Sequence, residues 1–398
     1  MIDTAPPPRP MLWGGVFAWT RKPSFVWLIA PVLLVASATR ANTESAPKDF
    51  YELSANQWLI SPQQLAEHLE DPGWRIIHVG HGRRGYERGH IPGAVFLDFD
   101  EVYINTDTLA MEMPTADAVQ RLIQKLGIDR VGQADPAAAN PDDATRKNDA
   151  EDSAGRVVLV GDASGVFPAR FLITLAHFGF GDRVSLLDGQ LKGWQAAGYA
   201  VEPADPEDDG GQAAQPNADP PAPTRDDPAH SGNPSETAPV REAAPVPGVL
   251  ADRSAVEAAL AEAASRPVPA AGDAVVPARA VDPSAAAATV VLDVRPAAQF
   301  IGEKRGPGVD VSGRIDGAVN LPWQDWFTGH NPPWLRDPAD IRRQLADVGI
   351  SHETQVIVYD TAGIHASLAW AVLRHLGYQA SMYDGGFEDW SRDWPRDN

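Results

Sequence analysis

Near the C-terminal end, Asp360-Thr361-Ala362-Gly363-Ile364-His365 follows a run of β-branched and aromatic residues and precedes an apolar stretch. An aspartate and a histidine five positions apart in such a loop can do two kinds of chemistry. A short carboxylate at the first loop position can accept N–H bonds from the start of a helix and serve as an internal anion. Alternatively Asp360 acts as a general base or aspartyl nucleophile with His365 as its partner. A carboxylate held by several N–H donors has a lowered pKa and is a weaker base, so the capping role is the expected one.

The flanking elements decide whether such a loop can form. Val356–Tyr359 has the composition of a fully buried strand. Leu368, Ala371, Val372 and Leu376 recur at helical spacing, which predicts a helix over 366–376. Backbone N–H groups at its start converge on one spot and make Asp360, Thr361, Ala362, Gly363, Ile364 and His365 an anion cradle. The same order of elements occurs earlier: residues 157–194 repeat 356–390, with a loop from Asp162 to Gly165 at the equivalent place. Upstream, 88–102 pairs with 313–327, and β-rich runs at 74–80 and 289–295 precede each. Strands alternating with helices imply α/β architecture, with a doubly wound parallel sheet carrying helices on both faces in each half. Ligands gather at the carboxyl ends of such strands, the edge at which the Asp162 and Asp360 loops sit.

Composition narrows the chemistry. Lys plus Arg is 33 and Asp plus Glu is 54 in 398 residues, a net charge of −21. That argues against nucleic acid or an anionic membrane surface as partner. There is no cysteine, which excludes disulfides, thiolate metal sites and a cysteine nucleophile. Arg21 and Lys22 precede an apolar run at 25–38 that ends in Ala36-Ser37-Ala38. This predicts an export signal over 1–41 and a periplasmic or secreted protein; an uncleaved membrane anchor is the alternative. Stretches 133–155, 203–248 and 266–288 are rich in Ala, Pro and Asp and are expected to be disordered inserts and a linker. They separate an N-terminal domain, 53–202, from a C-terminal one, 249–398.

The ordered motifs carry a resemblance. His90-Ile91-Pro92-Gly93-Ala94, the run 292–303, Gly317 to Trp323, and the endings Asp188-Gly189…Trp194 and Asp384-Gly385-Gly386…Trp390 follow one another at the right spacing. In this the chain resembles the tandem rhodanese sulfurtransferases, which act on thiosulfate or 3-mercaptopyruvate. The resemblance implies a non-catalytic N-terminal domain and a C-terminal one whose loop opens with a cysteine that carries sulfane sulfur as a persulfide. Here that position is Asp360, and a carboxylate cannot carry sulfane sulfur. Other departures are His365 where Arg or Thr is usual, Ala176 in place of a substrate-orienting arginine (only Arg170 of the usual pair is present), and Arg314-Ile315-Asp316-Gly317-Ala318 for the second box. The expected function is therefore an exported rhodanese homologue without sulfur-transfer turnover, binding a small anion or a protein partner. An active sulfurtransferase, or a hydrolase using Asp360 and His365, is the alternative.

His78 and His81, with His90, could suggest a metal site, but three residues' separation at a strand end gives no fixed convergence, and no metal or other cofactor is expected. Asp293 and Arg295 are read as shaping the sheet edge, and Trp194 and Trp390, each placed at a helix start, as core. The tryptophan-rich run 322–335 is expected to lie mostly buried between the domains.

Overall fold

A computed structural model describes residues 57–131, 155–204, 241–265, 288–329 and 333–394. The expected export signal, most of the linker and all but the last residue of each insert lie outside the described residues.

The first half builds a five-stranded sheet from β1 (Leu59–Ile60), β2 (Arg75–Gly80), β3 (Val95–Asp98), β4 (Val157–Val160) and β5 (Val184–Leu187). Its order is β1-β5-β4-β2-β3, with every pair parallel. The second half uses β6 (Leu250–Ala251), β7 (Thr289–Asp293), β8 (Val319–Asn320), β11 (Gln355–Tyr359) and β12 (Gln379–Tyr383), in the matching order β6-β12-β11-β7-β8. These pairs are parallel too. An antiparallel pair, β9 (Phe327–Thr328) with β10 (Trp334–Leu335), lies apart from both sheets.

Each sheet is covered on two faces, as its strand composition requires. Val157 and Leu159 enter one apolar cluster while Val158 and Val160 enter another. Val356 and Val358 likewise separate from Ile357 and Tyr359. Alternate residues of a strand point to opposite faces, so near-continuous apolar runs signal burial on both.

One cluster is shared by the halves. In it the helix Val166–His177 of the first half packs on the helix Ile364–His375 of the second. Trp58 meets Trp370 edge to face at 4.9 Å. The second helix begins two residues before the expected start, because Gly363, at φ 78°, takes the left-handed turn that lets the chain enter it directly.

Three placements differ from expectation in detail. Residues 241–248 are not free linker: Val246 N–H donates to the His177 carbonyl at 2.6 Å, and Arg241 pairs with Asp182 at 3.1 Å and lies over the Phe180 ring. Trp194 is buried inside the helix Gln190–Ala196, whereas Trp390 ends the helix Gly386–Trp390 and is half-buried beneath Arg253. In the tryptophan-rich run, Trp326 is fully buried, while Trp323 and Trp334 keep partial exposure. Trp334 reaches the first half, where a Cβ on Gly189 would come within 2.6 Å of its ring. Beside it, Asp188 Oδ1 accepts the Leu335 N–H at 3.0 Å.

Candidate functional site

The strand order reverses direction between β4 and β2 in the first sheet and between β11 and β7 in the second, and the loops after β4 and β11 lie at those switch points. In the second half the loop runs from Asp360 to Gly363, between β11 and the helix Ile364–His375. Its N–H groups do converge, but on the chain's own carboxylate. Asp360 Oδ1 accepts the Gly363 N–H at 2.6 Å, and Oδ2 accepts the His365 N–H at 3.0 Å. Oδ2 also lies 3.0 Å from His365 Nδ1.

Asp360 is only 2 % exposed. Burial opposes its charge, but the His365 side chain and the two backbone donors outweigh burial and hold the carboxyl below the usual range. Burial likewise opposes the His365 charge, and Asp360 outweighs it and raises the imidazole pKa. Each group thus favours the charged form of the other. The His365 ring, half-exposed, stacks on Trp323 at 5.3 Å.

The rest of the loop is covered. Thr361 is buried, and a Cβ added at Gly306 would sit 2.9 Å from its hydroxyl. Ala362 keeps partial exposure, whereas Gly363 and Ile364 are buried. From below, the turn after β12 closes on the loop: Phe387 N–H donates to the Asp360 carbonyl at 2.8 Å and Glu388 N–H to that of Thr361 at 2.9 Å. This approach needs a glycine at 386, with φ 57°, where a Cβ would lie 2.6 Å from the Asp360 carbonyl oxygen.

Arg170 is fully buried and points at that same turn, where it grips Asp384 and donates to the Met111 carbonyl. Asp384 in turn accepts the Met113 N–H at 3.1 Å. The segment 104–113, closed by the Ile104–Glu112 bridge, is thereby tied to the second half. Its Glu112 stands among Asp384, Asp389 and Glu388; burial first, then Asp384, pushes its carboxyl up to about 7. These carboxylates make the surroundings of the loop acidic, and Arg170 is already paired.

In the first half, Gly165 takes the same left-handed turn (φ 75°) three residues after Asp162. Asp162 does not fill its own loop. Its side chain, 45 % exposed, turns to the fully buried His78, with Oδ1 3.2 Å from Nε2. His78 and other neighbours hold its carboxyl below the usual range. Likeness of sequence at the two loops does not carry over to the two carboxylates. Across the second sheet edge, Arg295 forks onto Asp293 through Nε at 3.0 Å and Nη2 at 2.6 Å, both groups being buried, which gives that pair its structural use.

This repeated α/β half, with its loop at the switch point, has known counterparts. The rhodanese-like domain family matches residues 61–197 and 276–393. The chain belongs to the rhodanese-like domain family. It is 24 % identical over 348 residues to a 3-mercaptopyruvate sulfurtransferase of Escherichia coli K12, covering 84 % of this chain and 94 % of that one. It is 25 % identical over 349 residues to a thiosulfate sulfurtransferase of Corynebacterium glutamicum, covering 86 % and 90 %. Among solved structures the fold matches SseA, a 3-mercaptopyruvate sulfurtransferase from Escherichia coli, with TM-score 0.52 and 22 % identity over 83 % of this chain and 98 % of that one. The 3-mercaptopyruvate sulfurtransferase from Leishmania major gives TM-score 0.54 and 16 % identity over 86 % and 76 %. This rhodanese-family chain has no cysteine at all.

Asp384, Glu112 and the segment 104–113 were not visible as parts of this site from sequence. Asp384 belongs to an Asp-Gly-Gly turn that the sequence marks as structural. No local pattern joins it to Arg170, 214 positions away.

Proposed function

We propose that this rhodanese-family protein performs no persulfide-based sulfur transfer and acts, outside the cytoplasm, as a binding module for a protein partner. The observation that carries this reading is the Asp360 carboxylate inside its own N–H cradle, where the donors an anionic ligand would need are already engaged. The absence of any thiol supports the lack of turnover. A protein partner is favoured over a small anion because Asp384, Glu388 and Glu112 lie around the loop and Arg170 is already paired with Asp384. The partly exposed Trp323 and His365 offer the stacked aromatic surface that such a partner would cover. The expected signal over 1–41, with its apolar run at 25–38, supports export; among the described residues no helix is long and apolar enough to cross a membrane.

The test has two parts. Calorimetry with thiosulfate and 3-mercaptopyruvate is expected to show no binding to the natural chain and binding to Asp360→Gly, which frees the cradle. Proteins captured from an exported fraction, then purified and rebound singly, are expected to bind the natural chain and to lose affinity for Trp323→Ala. Thiosulfate binding by the natural chain with unchanged capture by the variant would overturn the proposal.

A second reading has one observation in its favour. Asp360 orients the half-exposed His365 imidazole through Nδ1, as an acidic group orients a general base. It predicts ester hydrolysis that falls at least tenfold in His365→Ala.

A further inference from the structure

His78 and His81 drew attention in the sequence as a possible metal pair, and the structure separates them. His78 points inward to Asp162, while His81, just beyond the end of β2, is 65 % exposed. What His81 meets instead comes from the neighbouring strand. Asp98 ends β3 directly opposite Gly80, and Asp100 lies in the short turn Phe99–Glu101 that follows. His81 Nδ1 is 3.3 Å from Asp100 Oδ1. One ligand atom from each of His81, Asp98 and Asp100 lies within 4.8 Å of the others.

We propose that His81, Asp98 and Asp100 form a binding site for a single divalent transition-metal ion, Mn²⁺ or Zn²⁺, at the carboxyl edge of the first sheet. Three ligands bonded to one ion at about 2.0–2.2 Å stand roughly 3–4 Å from one another; His81 Nδ1 and Asp100 Oδ1 already do, at 3.3 Å, and the third ligand atom, within 4.8 Å of both, reaches that range by side-chain rotation.

Support from outside the three ligands points the same way. Tyr103 donates to Asp100 Oδ1 at 2.8 Å and fixes its rotamer, the role of an outer partner at a metal centre. Lys125, the nearest lysine on the adjoining helix, is engaged by Glu101 at 2.6 Å. Asp98 Oδ1 caps the Asp100 N–H at 3.1 Å and leaves Oδ2 for an ion. One imidazole with two carboxylates suits Mn²⁺ or Zn²⁺ better than Ca²⁺ or Mg²⁺, which prefer oxygen alone.

The experiment uses the chelator-stripped, tag-free chain. Mn²⁺ uptake is followed by loss of the six-line spin-resonance signal of the free ion, and Zn²⁺ uptake by competition with a chromophoric chelator. One equivalent is expected, with affinity at least tenfold weaker in His81→Ala and in Asp100→Asn. Asp98→Asn keeps the backbone cap and is expected to weaken binding likewise, whereas Asp162→Asn leaves it unchanged. Thermal unfolding of each variant near that of the natural chain assigns the loss to the ligand rather than to the fold. Absence of stoichiometric uptake, or uptake indifferent to all three substitutions, would overturn the proposal.

Discussion

The guanidinium of Arg170 lies against the carboxylate of Asp384, with Nη2 3.2 Å from Oδ2, and joins the first half of the chain to the second. Arg170 is wholly out of solvent and Asp384 nearly so. Removing one partner of a buried pair leaves an uncompensated charge, which costs about 3–5 kcal/mol. Arg170→Met is therefore expected to lose roughly 3 kcal/mol or more in urea denaturation. It should also separate the unfolding of the two halves, since the same arginine ties segment 104–113 to the Asp384 turn. A single transition at unchanged midpoint would contradict the role assigned to this pair.

The Asp360–His365 pair makes a pH signature. His365 has its pKa raised in the fold, so its contribution is complete below the unfolded value of about 6.5 and is lost as pH rises through the higher folded value. Asp360 has its pKa lowered, so its contribution is complete above about 3.9 and is lost as pH falls through the lower folded value. The pair stabilises most between about pH 4 and 6.5. The melting-temperature gap between the natural chain and His365→Ala should be widest near pH 5.5 and should narrow toward pH 9. A gap that is constant across that range would mean the imidazole carries no charge.

Glu112 gives the opposite kind of test. Its carboxyl is pushed up to about 7 by burial and by Asp384. The folded chain therefore holds a proton that the unfolded chain releases, and stability falls as pH rises from about 4.3 through that value. Glu112→Gln keeps the neutral shape, so the variant should lose less stability than the natural chain between pH 5 and pH 8.5. Parallel pH profiles would show that Glu112 titrates as it does in water.

Much of this was legible before any coordinates. The runs Val157–Val160 and Val356–Tyr359 are apolar at every position, and only a strand covered on both faces needs that. The repeated Asp-x-x-Gly loops marked both switch points because the glycine must turn left-handed to admit the helix. What stayed hidden were choices made by side chains meeting across the fold. Asp162 and Asp360 are alike locally, yet buried His78 draws one away from its loop and His365 holds the other in. Arg170 reads as a free anion-binding arginine until the Asp384 turn from the other half arrives beside it. The carboxylates that meet His81 come from a separate strand and the turn beyond it, so no spacing around His78 and His81 could announce them.

The central claim is that a carboxylate has taken the place of both nucleophile and bound anion in the second-half loop. Sulfur transfer to cyanide, from thiosulfate and from 3-mercaptopyruvate, tests it most directly when the natural chain is compared with Asp360→Cys. The natural chain is expected to show no turnover above the uncatalysed rate, and Asp360→Cys to form a persulfide detectable by mass. Turnover by the natural, cysteine-free chain would contradict the account.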